Sequence, residues 1–193
     1  LLQYGLISPG VAAFVPDLGR EAVIVFFVLS GFVIMYSVDN KHASLADYAL
    51  ARAARIYSVA IPALVAAFLV GALLVQFSSV PLATSYQVAQ AHKYVPFHLM
   101  FMGEWWNLAE TPPWLVPYWS LGYEVWYYIL FGAGWYLRSS KRLLVTGIIL
   151  LMAGFKLWLL LPVWLSGVGL YWWMKSRTIA AGPARFGWFL SLA

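Results

Sequence analysis

The sequence predicts an all-α fold, a polytopic helical bundle in a membrane, and its composition is the main reason. Of its 193 residues, 63% are hydrophobic and 10% are charged, and the mean hydropathy is +0.79. A soluble domain has about 25% charged residues. Several apolar stretches also approach the roughly 20 residues that a helix needs to cross a bilayer. The stretch 59–75 does not alternate between polar and apolar residues, which disfavours an outer-membrane β-barrel.

Cysteine content and charge narrow the function classes further. The chain has no cysteine, which excludes disulfides, thiolate chemistry and cysteine-bound metals. No P-loop, nucleotide-binding glycine pattern or pair of histidines at zinc spacing occurs, so we expect no metal. The net charge of +5 is typical of membrane loops rather than of a nucleic-acid surface. The expected surroundings are therefore a lipid bilayer, with no nucleic-acid partner.

Both ends of the sequence look truncated. The first residue is Leu1 rather than Met, and the chain stops inside an apolar run that starts at 186. No linker, repeat or low-complexity segment divides the chain. We therefore expect residues 1–193 to be a single transmembrane domain, a fragment that is incomplete at both ends.

Apolar runs and their flanking residues predict the elements in order. Ser44 is a typical helix cap with Asp47 in the first turn, and the helix it starts continues into the second span. A connection at 78–117, punctuated by prolines, follows, and its aromatic part, 97–108, is typical of a short helix on the membrane surface. The predicted spans are 22–38, 56–76, 118–137, 143–161 and 163–174, with the start of another at 186.

The last two complete spans are separated only by Pro162, and both are short for a hydrocarbon core of about 30 Å. Basic residues decide between two spans and one kinked segment, because positive charge marks the cytoplasmic side. Three basic clusters share that side only if the chain turns at Pro162, and Lys93 then lies outside. The clusters are Lys41, Arg52 and Arg55; Arg138, Lys141 and Arg142; and Lys175, Arg177 and Arg185.

Glu124 is the strongest candidate for a functional residue. It lies a short way inside the third span, and a carboxylate at membrane depth is costly unless protein or water surrounds it. At helical spacing, Ser120, Glu124 and Tyr127 share one face, while Trp119 lies on a neighbouring aromatic face. The simpler interpretation is an aromatic belt at the membrane surface, with a carboxylate that caps the helix or reaches for water.

Lys156 is a second charge that the pattern places inside the membrane. From the outer ends of their spans, Glu124 lies six positions inward and Lys156 five, a depth of roughly 8–9 Å for both. Consecutive spans are usually neighbours, and an isolated charge at this depth costs several kcal/mol. We therefore expect the two side chains to pair; the alternative is that Lys156 reaches outward to the headgroups.

Arg52 and Arg55 are three residues apart and project from one helical face. Guanidinium groups bind phosphate bidentately, so the pair suits a phosphate or pyrophosphate at the cytoplasmic surface. The simpler interpretation is charge that only sets topology. Ser30, beside Gly31, can hydrogen-bond across a helix interface, although such a pair more often serves packing alone.

His92 and His98 lie in the outer connection, on the side where a general base for an external substrate belongs. Neither has an identifiable partner in the sequence, and histidines in loops are usually solvated. We therefore expect both at the surface.

Several stretches, taken in order, resemble acyltransferase family 3, a family of membrane-bound enzymes. No single motif is decisive, but order, spacing and membrane context together are specific, and the resemblance covers nearly the whole chain. The stretches are Phe26-Phe27-x-x-Ser30-Gly31, Arg52-x-x-Arg55, Trp119-Ser120-Leu121-x-x-Glu124 and Trp164-Leu165-Ser166-Gly167.

This resemblance implies a multi-pass O-acyltransferase of the bacterial inner membrane. Members of the family transfer an acyl group, usually acetyl, to sugars of the bacterial surface. The implied donor is cytoplasmic acetyl-CoA or another acyl-CoA, and the implied acceptor is a carbohydrate hydroxyl, as in polysaccharide O-acetylation.

The resemblance also implies roles for particular residues. Arg52 and Arg55 correspond to the donor-binding arginines, and the supporting residues are Glu124, Ser120, Trp119 and Ser30. The family's catalytic histidine precedes the Phe-Phe-x-x-Ser-Gly stretch, and residues 1–17 contain no histidine. We therefore expect that base upstream of Leu1 and expect the fragment alone to be inactive.

The competing hypothesis is a non-enzymatic transporter or translocator of a lipid-linked sugar. In that case Glu124 and Lys156 line a polar pathway, and the arginines only set topology.

Overall fold

The structure, a computed structural model, describes residues 19–41, 43–77 and 85–177. Within these ranges every regular element is a helix, and the predicted all-α class is confirmed. The predicted start of a span at 186 lies outside the described residues. The helices are α1 (Gly19–Lys41), α2 (Leu45–Phe77), α3 (Ser85–Ala89), α4 (Ala91–Leu99), α5 (Tyr118–Tyr136), α6 (Ser139–Ala153) and α7 (Phe155–Lys175).

Three of these helices are long and apolar enough to cross a membrane, namely Glu21–Lys41 within α1, all of α2, and α7. α5 has 19 residues and is rich in Tyr and Trp. α6, with 15 residues, is only about 22 Å long, less than the hydrocarbon core of a bilayer.

The start of α2 is fixed by the predicted cap. Ser44 Oγ donates a hydrogen bond to Asp47 Oδ2 at 2.7 Å and accepts one from the Asp47 backbone N–H at 3.2 Å. The helix then continues without a break for 33 residues, with Pro62 inside it. The predicted continuity between this cap and the span 56–76 is therefore confirmed.

The predicted turn at Pro162 is wrong. The chain turns at Gly154, between α6 and α7, and Pro162 lies inside α7. Gly154 has φ +80°, a conformation that glycine adopts at little cost. A Cβ at Gly154 would also lie only 2.8 Å from Cα of Trp106. The span predicted at 143–161 therefore ends at Ala153, where the chain passes beneath the preceding loop.

The connection before α5 also differs from its prediction. It contains α3 and α4, whereas most of the helix predicted at 97–108 is loop. Phe101, just after α4, has φ 55°, a left-handed conformation that helices do not continue through. The loop folds back onto the bundle, since the indole N–H of Trp126 donates to the Phe101 carbonyl at 2.9 Å.

α1 and α7 run parallel and in close contact. A Cβ on Gly167 would overlap the carbonyl oxygen of Val28, so the missing side chain lets the two backbones approach. At the C-terminal ends of the same helices, Lys175 Nζ lies 2.5 Å from Asp39 Oδ2.

α5 lies against α2 and runs in the opposite direction. Tyr48, near the start of α2, donates to the carbonyl of Tyr128 at 2.9 Å, and its ring centroid is 5.4 Å from that of Tyr136 at the end of α5. The turn between α5 and α6 therefore lies at the same end as the C-termini of α1 and α7. This end carries Lys41, Arg138, Lys141, Arg142, Lys175 and Arg177. Of the other residues in the predicted basic clusters, Arg52 and Arg55 lie further along α2, and Arg185 lies outside the described residues.

Candidate functional site

Glu124 is buried where α1, α2 and α5 meet, with 2% of the residue exposed. Its Oε1 accepts hydrogen bonds from Ser30 Oγ at 2.9 Å and from the Tyr128 hydroxyl. Arg55 Nη2 lies 4.0 Å from the same oxygen. The carboxylate thus has donors on α1 and α5 and a positive charge on α2, the kind of compensation that a buried charge requires.

Ser30 links this carboxylate to α7. Its hydroxyl hydrogen donates to Glu124, so its oxygen can accept, and the Trp164 indole Nε1 lies 3.3 Å away as the donor. A Cβ on the adjacent Gly31 would overlap the Trp164 carbonyl oxygen. The glycine therefore brings α7 close enough for the indole to reach, and Ser30 serves a polar network as well as packing.

Ser30, Arg55, Glu124, Tyr128 and Trp164 form the Glu124 cluster, which lies at mid-height in the bundle. Ser30 is eleven residues from each end of α1, and Trp164 is nine residues from the start of α7 and eleven from its end. The carboxylate is therefore roughly 15 Å from either end of these helices. The sequence placed Arg55 at a cytoplasmic surface, whereas the structure places its guanidinium at this depth, because residue 55 lies ten residues into α2.

Arg52 lies about one turn nearer the basic end. Its Nη2 donates to Ser37 Oγ at 3.2 Å, and its guanidinium carbon lies 5.7 Å from the centroid of the Tyr128 ring. Its Nε is buried without a hydrogen-bond partner among the described residues. The Arg55 side chain is 49% exposed, so Arg55 is the arginine with more donors open to a ligand.

An apolar cavity of about 390 Å³ lies between α2, α5 and α6. Its volume is within the range of about 300–1,000 Å³ found for small-molecule sites. Arg52 and Tyr128 form part of the wall. The rest is mainly aliphatic and includes Leu45, Ala53, Ile56, Val125, Ile129 and Val145. The cavity can therefore hold a hydrocarbon group beside a guanidinium.

Two predicted site residues lie apart from the Glu124 cluster. Ser120 Oγ donates to the Pro117 carbonyl at 2.9 Å, one turn back along the chain. The Trp119 ring lies edge-on to Tyr123, with centroids 5.5 Å apart. Neither side chain contacts the carboxylate, so the motif that contains them is not a single cluster in space.

The phenol that bonds the carboxylate belongs to Tyr128 rather than Tyr127. Tyr127 donates instead to the carbonyl of Leu157 on α7, at 2.8 Å. Tyr128 follows Glu124 by four residues, and this spacing, which brings side chains together on a helix, is the sequence signal for the contact. Trp164 had no such signal, because the direction of its indole depends on how α1 and α7 pack.

The predicted pair between Glu124 and Lys156 is wrong. Lys156 Nζ lies 3.2 Å from Glu104 Oε2 and also donates to the Leu108 carbonyl. Since the chain turns at Gly154, Lys156 is the second residue of α7 rather than a residue five positions inside a span. It holds the loop before α5 in place.

His98 is buried, not at the surface as predicted. It is 1% exposed, its ring packs against Tyr94 and Tyr118, and its Nε2 lies 3.4 Å from Gln87 Oε1. Burial lowers the pKa of His98 to about 4, so the ring is neutral at neutral pH. His92, by contrast, is exposed as predicted.

Comparison with known proteins supplies the family. A family model described as an acyltransferase domain matches residues 3–192. No curated protein and no solved structure matches the chain. The matched range includes Ser30, Arg55, Glu124, Tyr128 and Trp164, the residues from which the cluster is built. Because it spans nearly all of the sequence, the chain belongs to acyltransferase family 3.

Proposed function

We propose that this acyltransferase moves an acyl group, acetyl first of all, from cytoplasmic acyl-CoA to a hydroxyl of an exported or cell-surface carbohydrate. The proposed location is the inner membrane of a bacterial cell. Family membership supports acyl transfer. The choice of donor rests on the cavity of about 390 Å³ with Arg52 on its wall. Apolar walls suit the acyl group, and guanidinium groups suit the phosphates.

In the proposed reaction, the acceptor hydroxyl oxygen attacks the thioester carbonyl carbon. A C–O bond forms and the C–S bond breaks. The hydroxyl proton passes to a general base, and the departing CoA thiolate takes up a proton. A positioned base contributes roughly 10²–10⁴-fold to the rate of such a step.

Glu124 suits a positioning role in this reaction. Its Oε1 is engaged by Ser30 and Tyr128, and its burial leaves no path for a direct attack on the substrate. By attracting Arg55 at 4.0 Å, it holds that guanidinium at mid-height in the bundle. We infer that Glu124 presents Arg55 to the donor.

The position of Lys156 contradicts the main argument for a transporter. It requires Glu124 and Lys156 to line one polar pathway, whereas Lys156 is bound to Glu104 and the loop. No observation on the described residues favours transport over acyl transfer.

Exchange of Arg55 for lysine tests the donor site. Arg55→Lys keeps the charge but loses the planar fork, so we expect the KM for acetyl-CoA to rise about tenfold, the loss of one charge-assisted hydrogen bond. Transfer of radiolabelled acetyl is measured in membranes that contain the intact protein. Arg138→Lys makes the same change at an exposed turn and should leave the KM unaltered. If the two variants had the same KM for acetyl-CoA, Arg55 would only set the topology of the protein and would not bind the donor.

A further inference from the structure

We propose that a pocket at the outer end of the bundle binds a pyranose ring of the acceptor. This inference rests on the proposed function, because it assigns a subsite to that acceptor. The pocket has a volume of about 330 Å³ and is lined by Gln90, Lys93, Tyr94, Phe97, Leu108 and Glu110.

Glu110 is fixed in this pocket through one of its oxygens. Oε2 accepts hydrogen bonds from the Tyr86 hydroxyl at 2.8 Å and from Gln87 Nε2 at 2.9 Å. Gln87 is 2% exposed and also donates to the Thr111 carbonyl at 3.1 Å. No described residue donates to Oε1, so this rigidly held carboxylate keeps an acceptor for a sugar hydroxyl.

Tyr94 and Phe97 supply flat walls beside that carboxylate. Their ring centroids are 6.2 Å apart in an edge-on arrangement, and Tyr94 also packs against Tyr86 at 5.4 Å. The C–H face of a pyranose carries partial positive charge and is attracted to the negative face of an aromatic ring. The pocket therefore has both a stacking surface and a hydroxyl acceptor.

The rim adds hydrogen-bond donors. Lys93 Nζ donates to Gln90 Oε1 at 3.3 Å, and both side chains belong to exposed residues. The ammonium and amide hydrogens not used in this bond can donate to ring and hydroxyl oxygens. A carboxylate, an ammonium, an amide and two aromatic rings suit a polyhydroxylated ligand, whereas a purely apolar ligand would leave these polar groups unpaired.

Glu110 lies between this pocket and the N-terminal end of α5. It also lines a second, narrow cavity, together with Tyr118, Trp119 and Gly122. Gly122 lies two residues before Glu124, about 3 Å along the helix axis. A sugar bound at Glu110 would therefore lie close to the first turn of α5, on the same helix as Glu124.

Binding is tested without any acyl donor. Methyl β-D-glucopyranoside and methyl N-acetyl-β-D-glucosaminide are titrated against the intact protein in nanodiscs, with saturation-transfer NMR as the readout. Tyr94→Leu keeps apolar volume but removes the flat ring, and Glu110→Gln keeps the shape but removes the charge. We expect each to weaken binding about five- to tenfold. Tyr36→Leu, the same change in a half-exposed tyrosine near the basic end, should bind like the wild type.

Kinetics separate this pocket from the proposed function. In Tyr94→Leu the acceptor KM should rise by the same factor while the KM for acyl-CoA stays constant. An unchanged acceptor KM, or a wild-type protein that binds neither sugar, overturns the pocket and leaves acyl transfer standing. If the wild-type protein binds the sugars, the two variants abolish this binding, and acyl-CoA is never used, then the proposed donor is wrong and the pocket stands.

Discussion

Among single residues, Glu124 is the one at which we expect a conservative change to lower the stability of the protein most. Glu124→Gln keeps the shape but removes the negative charge beside Arg55 and weakens hydrogen bonds worth about 1.5–3 kcal/mol when charge-assisted. The ion pair contributes only a small part of this loss, because its Nη2–Oε1 distance is 4.0 Å and the Arg55 side chain is 49% exposed. We expect the free energy of unfolding to fall by about 2–3 kcal/mol, measured by denaturation in detergent.

Ser120→Ala is the matched comparison for that variant, because Ser120 belongs to the same sequence motif. Its hydroxyl bonds only a carbonyl one turn away, so its loss should change the free energy of unfolding by no more than about 0.5 kcal/mol. Equal damage from the two substitutions would show that the motif acts as one cluster after all.

His98 should make stability depend on pH. Its pKa is about 4 in the folded chain and about 6.5 when unfolded, so the unfolded state binds more protons between these values. Stability is therefore greatest above about pH 6.5 and falls by up to about 3 kcal/mol as the pH drops toward 4. In His98→Leu, the melting temperature should depend much less on pH across this range than in the wild type.

His92→Leu provides the control, since His92 is exposed on the same short helix α4. Its melting temperature should follow the wild-type dependence on pH. If His98→Leu retained the full wild-type slope, the acid sensitivity would have to come from other groups.

Some residues of the site could be predicted from the sequence, and others could not, for physical reasons. Glu124 is conspicuous because a charge among apolar residues needs a partner, whereas Arg55 is indicated by its spacing to Arg52 and Ser30 by the resemblance to the family. Trp164 belongs to a stretch that resembles the family, but its hydrogen bond was not predicted, because a tryptophan in an apolar run has the same pattern whether or not its N–H is bound. Lys156 was paired wrongly, because its depth depended on where the helix begins.

Among the helices, the α1–α7 contact depends on Gly167. An added Cβ would overlap the backbone of Val28, and a backbone cannot rotate away as a side chain can. Gly167→Ala should therefore force the helices apart and lower the free energy of unfolding by about 1–3 kcal/mol. The measurement is thermal melting of the purified protein in detergent.

Gly169→Ala, two residues further along α7, is the control. A Cβ there would meet nothing within 4 Å, and alanine favours a helix over glycine by up to about 1 kcal/mol. The melting temperature should stay the same or rise slightly. A drop as large as that of Gly167→Ala would mean that the glycines act through helix flexibility and not through close approach.

The sequence predicted helices better than it predicted their ends. The long helix α2 was foreseen because Ser44 and Asp47 act locally. The break at Gly154 was not, because Pro162 is the more conspicuous breaker and costs a membrane helix little when neighbours satisfy the freed backbone groups. The need for glycine at position 154 comes from Trp106, which is far away in sequence and close in space.

For the whole molecule, the orientation in the membrane can be tested directly. Lys93 and Lys141 are exposed at opposite ends of the bundle, and the chain has no cysteine. Because the basic end should face the cytoplasm, a cysteine at position 93 should react with an impermeant thiol reagent in intact cells, whereas one at 141 should not. Labelling at 141 alone would show the opposite orientation, in which the arginine pair could not reach cytoplasmic acyl-CoA.

The helix that begins the described chain packs most closely against the one that ends it, and this has a consequence for biosynthesis. Ser30 and Trp164 are separated by 134 residues, which at about 5–20 residues per second takes a ribosome roughly 7–27 s to translate. Glu124 follows Ser30 by 94 residues and emerges earlier. Nascent α1 therefore meets the carboxylate before the indole, and its glycine face can be covered only after α7 has been made.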